Sequence, residues 1–532
     1  MKIPRLVPAG PWVVATLVLA AAPAEAQVEP AAPPPELDRL VTEVMRSFEV
    51  PGLALAIVKD GEVVVSKGYG VRDLGRPEPV DGHTLFGIAS NTKAFTATAL
   101  ALLAEEGRIE WDAPVIRYLP WFRMSDPFVT AEITVRDLLV HRSGLGLGAG
   151  DLLLWPATTY TSEEIVRRLA EVPLSTSFRS AYAYDNVLYV VAGALIEEVS
   201  GLSWDEFITT RILRRIGMPD AVTDYEEARV GGNLAATHAR IEGRVRRVTA
   251  HPSHNDKPAG GILASAADMA RWMIVQLDSG RVAGGEPLFD PATTRELWTL
   301  VTPIPTRPPP PEAAPLRADF NGYALGFFVR DYRGHKLVTH TGGLQGYVSR
   351  LTIVPELDLG IAVLTNAEEG GAFQAITQEL LDHYMGAPDH DWLEAYRVLG
   401  ALRDSAAAAA ERSAAVERDT ASRPSLPLSE YAGTFSDPWY GDVSIGLESR
   451  GLVLRFGATP SLVGDLEHWQ HDTFVARWRD RELRADAFVT FDLEPDGSIQ
   501  EVRMVPASPS VDFSYDFQDL VLTPNRNGRD GP

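Results

Sequence analysis

The chain has 532 residues with 45% hydrophobic and 23% charged content, values that argue against a fibrous or wholly disordered protein. This length exceeds one ordinary core, so we expect two or more domains. The formal charge of −23 argues against nucleic acid and anionic membranes as partners, and the absence of cysteine excludes disulfides, thiolate catalysis and cysteine-ligated metals.

The first residues have the layout of a secretory signal peptide. A basic start with Lys2 and Arg5 precedes an apolar run from Trp12 to Ala22, which is too short to span a membrane. Ala24-Glu25-Ala26 then offers a small-x-small cleavage site. We predict that residues 1–26 are removed by cleavage after Ala26, that the protein is periplasmic or secreted, and that no membrane span remains. An uncleaved N-terminal anchor is the alternative.

A short tether rich in Pro and Ala, residues 27–35, precedes a predicted α/β (α+β) domain over residues 36–390. Two apolar runs, Leu53–Lys59 and Glu62–Tyr69, are joined by Asp60-Gly61, which favours a hairpin turn because both positions tolerate positive φ. Helical spacing dominates the middle of the domain, and strand signals return near its end. Strands from both ends with helices between them predict a sheet that the C-terminal strands complete.

The helices predicted in this domain are Leu37–Phe48, Ser90–Gly107, Ser162–Ala170, Asn186–Ser200, Ser203–Ile216 and one that starts near Ser265. The late strands predicted are Tyr323–Arg330, Lys336–His340, Val348–Val354 and Ile361–Thr365. Gly201 and Gly217 occupy helix C-cap positions, and Asp268 lies where a capping box with Ser265 would place it. Residues 303–315 include seven prolines and predict an extended surface loop, because proline cannot donate to a ladder or a helix.

The remainder of the chain predicts a connector and a second domain. Residues 391–427 are rich in Ala, which indicates a helical connector, and they end at a boundary with two prolines. Residues 428–525 carry short alternating runs with a turn at Pro495-Asp496-Gly497, a pattern that predicts a small all-β domain.

Ser90-Asn91-Thr92-Lys93 is the central candidate motif for chemistry. Positions i and i+3 share one helix face, so the Ser90 hydroxyl and the Lys93 amine can meet. Serine is a poor nucleophile at neutral pH without a base beside it, and lysine serves as that base only if desolvation or nearby positive charge lowers its pKa. The first turn of a helix also favours negative charge that develops on the nucleophile. Many helices contain a Ser and a Lys three residues apart by chance, so other residues are needed to assign a function.

Two more motifs follow. Tyr184-Asp185-Asn186 precedes an apolar helix, and His340-Thr341-Gly342-Gly343 ends a predicted strand. With Ser90 and Lys93, these motifs resemble the serine β-lactamase and penicillin-binding protein superfamily over roughly residues 35 to 390. Tyr-x-Asn is similar to the class C-like branch. His-Thr-Gly departs from the Lys-Thr-Gly of true class C β-lactamases and is more similar to D-alanyl-D-alanine carboxypeptidases, D-aminopeptidases and esterases.

The resemblance implies the architecture of both domains. Residues 36–390 are expected to form a β-lactamase/transpeptidase-like domain with an antiparallel sheet and a helical subdomain. The segments Leu138–Leu145 and Pro258–Ser265 also resemble family positions. Tyr431–Phe435 and Asp437–Gly441 resemble the start of the small β-barrel appended to many such hydrolases, which shapes the cleft or only stabilises the protein.

The resemblance also implies the catalytic roles. Ser90 is expected to attack an ester or amide carbonyl and form an acyl-enzyme. Lys93 would help to deprotonate Ser90, and Tyr184 would pass a proton to the leaving group and later activate water. The Tyr184 pKa would need lowering by nearby cations for this, and the choice between Lys93 and Tyr184 as the true base stays open.

Four further residues are expected to bind the substrate. Asn186 would donate to its carbonyl and hold Lys93, and Gly342 would leave room along the strand. His340 stands where Lys is commoner, so attraction for a substrate carboxylate should weaken and depend on pH, which places efficient β-lactam hydrolysis in doubt. The backbone N–H groups of Ser90 and Gly343 would form the oxyanion hole.

Other histidines are interpreted as structural. His141 and Ser143 follow a predicted helix, so capping and loop anchoring are the expected roles. His251 and His254 have metal-like spacing, but Pro252 breaks the helical geometry that zinc motifs use. We predict neither a metal nor a cofactor.

The sequence therefore predicts a serine hydrolase that acts on small-molecule or peptide substrates, namely peptides with D-residues, small esters or β-lactams. The alternatives are a penicillin-binding sensor that does not turn over and a wall-associated binding protein of the same fold. A sensor would trap a stoichiometric acyl group, whereas a hydrolase would release product repeatedly. The sequence predicts no oligomeric state.

Overall fold

The computed structural model describes residues 32–250, 252 and 254–525. The predicted signal peptide and its cleavage site lie outside these residues. Within them, no single helix is long and apolar enough to cross a membrane, although one pair of helices bent by 76°, Val187–Ser200 with Trp204–Ile216, meets the length and composition criteria together.

An antiparallel sheet is the framework of the first domain. The strands of this domain are β1 (Gly52–Lys59), β2 (Glu62–Gly70), β3 (Phe86–Gly87), β4 (His238–Ile241), β5 (Arg244–Arg247), β6 (Leu263–Ala264), β7 (Thr302–Pro303), β8 (Asn321–Tyr323), β9 (Phe328–Tyr332), β10 (His335–Leu344), β11 (Tyr347–Val354) and β12 (Leu359–Thr365). Eight of them form the main sheet in the order β2-β1-β12-β11-β10-β9-β8-β7. The early hairpin thus pairs with the last strand, as the strands at both ends of the domain predicted.

Both faces of this sheet are covered. All eight residues of β1 are buried, and they alternate between two apolar clusters. One cluster lies against the first and last helices of the domain and takes Leu53, Leu55 and Ile57. The other lies against the helical region and takes Ala54, Ala56 and Val58.

The helices are α1 (Leu37–Phe48), α2 (Thr92–Glu105), α3 (Pro127–Glu132), α4 (Ser162–Arg168), α5 (Val187–Ser200), α6 (Trp204–Ile208), α7 (Arg214–Ile216), α8 (Tyr225–Gly231), α9 (Lys257–Gly260), α10 (Ala266–Leu277), α11 (Pro291–Leu297), α12 (Gly370–Tyr384) and α13 (Trp392–Glu417). A π-helical turn, Thr209–Leu213, joins α6 to α7. Gly201 and Gly217 end α5 and α7 in the left-handed conformation, with φ of 76° and 74°. Ser265 and Asp268 form the predicted capping box of α10.

Two predictions about residues 303–330 are wrong in detail. The stretch predicted as one strand, Tyr323–Arg330, forms two strands, β8 and β9, which pair around Gly326. Gly326 has φ of +79°, and a Cβ there would lie 2.8 Å from the Lys93 carbonyl oxygen, so the chain must turn at this glycine. The proline-rich residues 303–315 begin in the edge strand β7, but they are not extended throughout, because they end in the 3₁₀ turn Pro311–Leu316.

The C-terminal strands close an eight-stranded antiparallel barrel, which confirms the predicted small all-β barrel-like domain. Its strands are β13 (Gly433–Asp437), β14 (Gly441–Glu448), β15 (Gly451–Phe456), β16 (Val463–Gln470), β17 (Thr473–Trp478), β18 (Ala487–Leu493), β19 (Ile499–Pro506) and β20 (Val521–Pro524). Closure leaves no free sheet edge in this domain. Helix α13 leads to the barrel and is anchored at its start by the buried Trp392 and Ala395.

Candidate active site

The Ser90 hydroxyl lies on a strained turn at the start of α2. Ala89 has φ of +50°, a left-handed conformation that is uncommon for a residue with a side chain. Asn91 Nδ2 donates to Ser349 Oγ over 2.8 Å, and Ser349 Oγ donates to the Ile88 carbonyl oxygen over 2.8 Å. These bonds tie the turn to β11, so the sheet holds Ser90 in place.

Lys93 is fully buried, and three oxygen atoms surround its amine. Nζ lies 3.2 Å from Ser90 Oγ, 2.7 Å from Asn186 Oδ1 and 2.9 Å from the Ala259 carbonyl oxygen. The last two oxygens only accept hydrogen bonds, so a neutral amine gives them its two N–H groups. Its lone pair then faces Ser90 Oγ, which is the geometry that a general base needs.

Burial also lowers the proton affinity of the Lys93 amine. Desolvation lowers the Lys93 pKa from 10.5 to about 7, although the carboxyl groups of Asp151, Asp185 and Asp256 act to raise it. The same burial raises the pKa of Asp151 and Asp185 to about 7 and that of Asp256 to about 6. A substantial fraction of Lys93 is therefore neutral near pH 7.

Tyr184 lies against both members of this pair. Its ring centroid is 4.9 Å from Lys93 Nζ, and its side chain is hydrogen-bonded to that of Ser90. Burial raises the Tyr184 pKa well above 10, whereas a phenolate at this position would need nearby cations to lower that pKa. Lys93 is itself partly neutral, so its charge does not compensate for the hydration that the Tyr184 phenolate loses on burial. Tyr184 therefore keeps its proton near pH 7, whereas the Lys93 amine is partly free to accept one.

His340 is buried, and both of its ring nitrogens are bonded within the protein. Nδ1 donates to the Thr341 carbonyl oxygen over 2.6 Å, and Nε2 accepts from the Tyr323 hydroxyl over 2.8 Å. Burial and the neighbouring Lys93 lower the His340 pKa to about 3. The imidazole is thus neutral over the physiological range, which removes the pH dependence expected from the sequence.

The two glycines of the third motif occupy different surroundings. β9 pairs with β10 only as far as Thr339, and beyond this point β10 borders the cleft in front of Ser90. A Cβ on Gly342 would lie 2.2 Å from the Ile88 carbonyl oxygen, so Gly342 makes room for the turn that carries Ser90 and not for substrate. A Cβ on Gly343 would meet no atom of the described residues within 4 Å. Ser90 and Gly343, the predicted oxyanion donors, line the same cleft.

These features match a known family over most of the chain. A model described as Beta-lactamase matches residues 37–385, a range that holds all three motifs. This chain belongs to the β-lactamase family. A second model, described as a domain of unknown function (DUF3471), matches residues 417–524 and so covers the barrel.

Several relatives of this β-lactamase-family chain are curated proteins. Unguisins hydrolase ungD of Aspergillus violaceofuscus is 27% identical over 444 residues, which cover 78% of this chain and 76% of that protein. The ungD' protein of Aspergillus campestris is 29% identical and covers 76% of each. Protein flp of Staphylococcus aureus strain N315 is 26% identical over 62% of each. Among solved structures, the octameric penicillin-binding protein homologue from Pyrococcus abyssi shares the fold, with a TM-score of 0.58, 23% identity and coverage of 88% and 98%.

The cleft of this family member has a volume of about 1290 Å³ and lies between the first domain and the barrel. Four arginines among the described residues line it, and each is paired with a carboxylate: Arg240 with Glu49, Arg477 and Arg481 with Asp486, and Arg484 with Glu368. Eight acidic residues also line it: Glu242, Asp256, Glu368, Asp404, Glu411, Glu482, Asp486 and Asp512. The formal charge of the lining is therefore negative, and no arginine of this lining is left unpaired for a substrate carboxylate.

His141 anchors a loop, as predicted, but it does so inside the site. Its ring lies 4.2 Å from the Tyr184 ring between centroids, and its Nδ1 accepts the backbone N–H of Asp185 over 3.2 Å. Ser143 Oγ accepts the Leu145 N–H in the same loop. His251 lies outside the described residues, and among those described no cluster of three or more His, Asp or Glu side chains has the arrangement of a metal site.

Three residues of the site were missed at the level of sequence. The Ala259 carbonyl, which binds Lys93, lies in the Pro258–Ser265 segment, so the likeness of that segment to the family was the available signal. Asp151, which binds Asn186, and Tyr323, which binds His340, are single polar residues with no local pattern around them.

Proposed function

We propose that this chain is a serine hydrolase that cleaves an ester or amide bond through an acyl-enzyme on Ser90. The observation that carries the proposal is the buried Lys93 amine, 3.2 Å from Ser90 Oγ and with a pKa of about 7. An amine in this state takes up a proton at neutral pH, which a nucleophilic serine requires. The two relatives named as hydrolases support the reaction class.

In acylation, Ser90 Oγ bonds to the substrate carbonyl carbon while its proton passes to neutral Lys93 Nζ. The carbonyl oxygen becomes an oxyanion, which the N–H groups of Ser90 and Gly343 bind. When the intermediate collapses, the leaving group departs with the hydroxyl proton of Tyr184, and the Lys93 ammonium returns a proton to the tyrosinate. The site then holds neutral Lys93, protonated Tyr184 and an acyl group on Ser90.

In deacylation, a water oxygen bonds to the acyl carbon while one of its protons passes to Lys93 Nζ. The bond between the carbon and Ser90 Oγ breaks, and Ser90 regains a proton from Lys93 or Tyr184. The products are the free acid and the resting enzyme, so no cofactor enters the balance.

The cleft favours a substrate without a carboxylate beside the scissile bond. His340 is neutral where a lysine would attract such a group, the lining arginines are paired, and the lining is formally negative. β-Lactam antibiotics and peptides that end in a free D-residue carry this carboxylate. We therefore favour uncharged esters and capped or cyclic peptides as substrates, with D-residues permitted, and place β-lactams last.

Labelling by a fluorophosphonate tests the nucleophile. Intact-mass spectrometry should show one adduct on the protein that maps to Ser90 and is absent from Ser90→Ala. Repeated release of product from an ester would then separate a hydrolase from a sensor, which stops after one acyl group per chain. No adduct on a folded sample would refute the hydrolase and favour the binding-protein alternative.

A matched pair of phenyl esters tests the substrate class. The two compounds differ only by a carboxylate on the phenyl ring, and kcat/KM should be at least about 10-fold higher for the uncharged ester. His340→Lys restores a cation at this position and should narrow or invert that ratio. Equal kcat/KM values for the two esters in the wild-type protein would contradict the assignment.

We also propose that the protein is exported to the periplasm or secreted, on the layout of residues 1–26. N-terminal sequencing of protein from the cell exterior or periplasm should start at Gln27. An intact Met1 on membrane-bound protein would instead support the uncleaved anchor.

A further inference from the structure

The barrel sends a loop into the site of the first domain. Residues 507–520, between β19 and β20, leave the barrel and lie against the turn of residues 146–152. Asp516 accepts the backbone N–H of Gly150 over 2.6 Å and that of Leu152 over 3.1 Å. Asp516 is fully buried, so these bonds are shielded from water and anchor the turn firmly.

Phe513 of the same loop contacts the catalytic tyrosine. Its ring lies edge-on to the Tyr184 ring, with 6.0 Å between centroids. Gly148 donates its N–H to the Tyr184 carbonyl oxygen over 2.8 Å, and a Cβ on Gly148 would lie 2.5 Å from the Phe513 carbonyl oxygen. The loop and the turn are therefore packed backbone to backbone beside Tyr184.

Asp151 is the residue through which this loop reaches Lys93. Its Oδ2 accepts from Ser514 Oγ over 2.9 Å and from Asn186 Nδ2 over 2.8 Å. Its Oδ1 accepts the Asn186 backbone N–H over 3.3 Å. The carboxyl is fully buried, so its hydrogen-bond partners, one of them from the barrel, decide its state.

The state of Asp151 decides which way the Asn186 amide points. An ionised carboxylate only accepts hydrogen bonds, so it binds the amide NH₂ and turns the amide oxygen toward Lys93. That oxygen takes one of the two N–H groups of the neutral amine and leaves the lone pair on Ser90 Oγ. In the reversed orientation the amide would present N–H groups to Lys93 Nζ, and these would compete with Ser90 for the lone pair.

We infer that Asp151 and Ser514 are positioning residues which, through the Asn186 amide, hold the Lys93 lone pair on Ser90, so that the barrel is part of the catalytic apparatus. This inference rests on the proposed serine-hydrolase function. Burial raises the Asp151 pKa to about 7, and the bond from Ser514 opposes this rise. Without Ser514, Asp151 shifts toward its protonated form, which donates a hydrogen bond and no longer selects one amide orientation.

The other titratable groups around Asp151 and Lys93 are the same in all the variants proposed below. Those that face Lys93 are Asp185, Asp256, His141, His340, Tyr184 and Tyr189, and those that face Asp151 include Asp185 and Asp516. A change confined to Ser514 therefore reports on the Asp151 branch of the network.

The test measures the rate constant for fluorophosphonate labelling of the full-length protein from pH 5 to 9, by intact mass. Ser514→Ala is compared with Ser461→Ala, which removes another buried barrel hydroxyl that has no hydrogen-bond partner in the described chain and does not line the cleft. We expect Ser514→Ala to react about 10-fold more slowly at pH 7 and its acid limb to move up by about half a pH unit or more. Ser514→Thr, which keeps a hydroxyl, should recover both values, and Ser461→Ala should match the wild type.

Each outcome decides between separate hypotheses. An unlabelled wild-type protein would refute the proposed function itself. A labelled wild type in which Ser514→Ala and Ser461→Ala behave alike, or in which Ser514→Ala is slower with an unmoved acid limb, would overturn the positioning role. If Ser514→Ala fails to fold, Asp151→Asn serves in its place, and labelling at the wild-type rate would overturn the inference.

Discussion

We expect kcat/KM to rise near neutral pH as Lys93 loses its proton. Desolvation lowers the Lys93 pKa from 10.5 to about 7, a shift worth about 5 kcal/mol at roughly 1.4 kcal/mol per unit. With the unshifted value, roughly one lysine in 3000 would be neutral at pH 7, whereas roughly half are neutral with the shifted value. Burial thus raises the population of the base by a factor of about 10³ without any change of residue.

The assay is kcat/KM for an uncharged phenyl ester between pH 5 and 9 at constant ionic strength. The base must be neutral, so kcat/KM should reach a plateau above about pH 8 and, below about pH 6, approach a limiting slope of about 10-fold per pH unit. A slope steeper than 10-fold per unit would reflect the simultaneous protonation of Asp151, whose pKa is also about 7.

Lys93→Arg is the control, because a guanidinium stays ionised over this range. We expect it to lose at least about 10³-fold in kcat/KM and to show no limb near pH 7. A wild-type profile that is flat from pH 5 to 9, or one that rises only above pH 9, would refute Lys93 as the base and favour a Tyr184 phenolate.

Three further outcomes follow from other contacts. Tyr184→Phe should slow alkyl esters about 100-fold but nitrophenyl esters far less, because only the former need a proton on the leaving group; equal losses would contradict a proton-donor role. Gly342→Ala should slow Ser90 labelling about 100-fold by displacing the turn that carries Ser90; labelling at the wild-type rate would show that this turn shifts without loss. Asp137→Ala should lower the free energy of unfolding in urea by about 2–3 kcal/mol, because the buried carboxylate binds two arginines and a threonine; an unchanged midpoint would show those bonds contribute nothing.

The proximity of the candidate catalytic residues could be predicted because each belongs to a motif with its own local geometry. Ser90 lies in the turn that leads into α2 and Lys93 lies in the first turn of α2, so a spacing of three residues places Nζ 3.2 Å from Oγ. Asn186 directly precedes α5, so its place relative to the helix follows from the apolar run behind it. The hairpin of β1 and β2 and the barrel are likewise local patterns of alternation and turns.

What could not be predicted depends on contacts between distant parts of the chain. Ser514 and Asp151 are 363 positions apart, and neither lies in a motif. The choice between Lys93 and Tyr184 as the base stayed open because the Tyr184 pKa is set by burial, which no local pattern reveals. The role of Gly342 differs for the same reason, since the atom that occupies its missing side chain, the Ile88 carbonyl oxygen, comes from another element.

The same desolvation that lowers the Lys93 pKa also makes that pKa depend on the closure of the site. Any opening that brings water to Nζ would restore solvation of the ammonium and move the Lys93 pKa back toward 10.5. One boundary of the site is the turn of residues 146–152, which the barrel loop anchors through Asp516 and Ser514. The acid limb of kcat/KM therefore reports two things at once, the burial of Lys93 and the docking of the barrel. A β-lactamase-family domain of this kind with a loosened barrel should keep its nucleophile and its fold, yet require a more alkaline pH to use them.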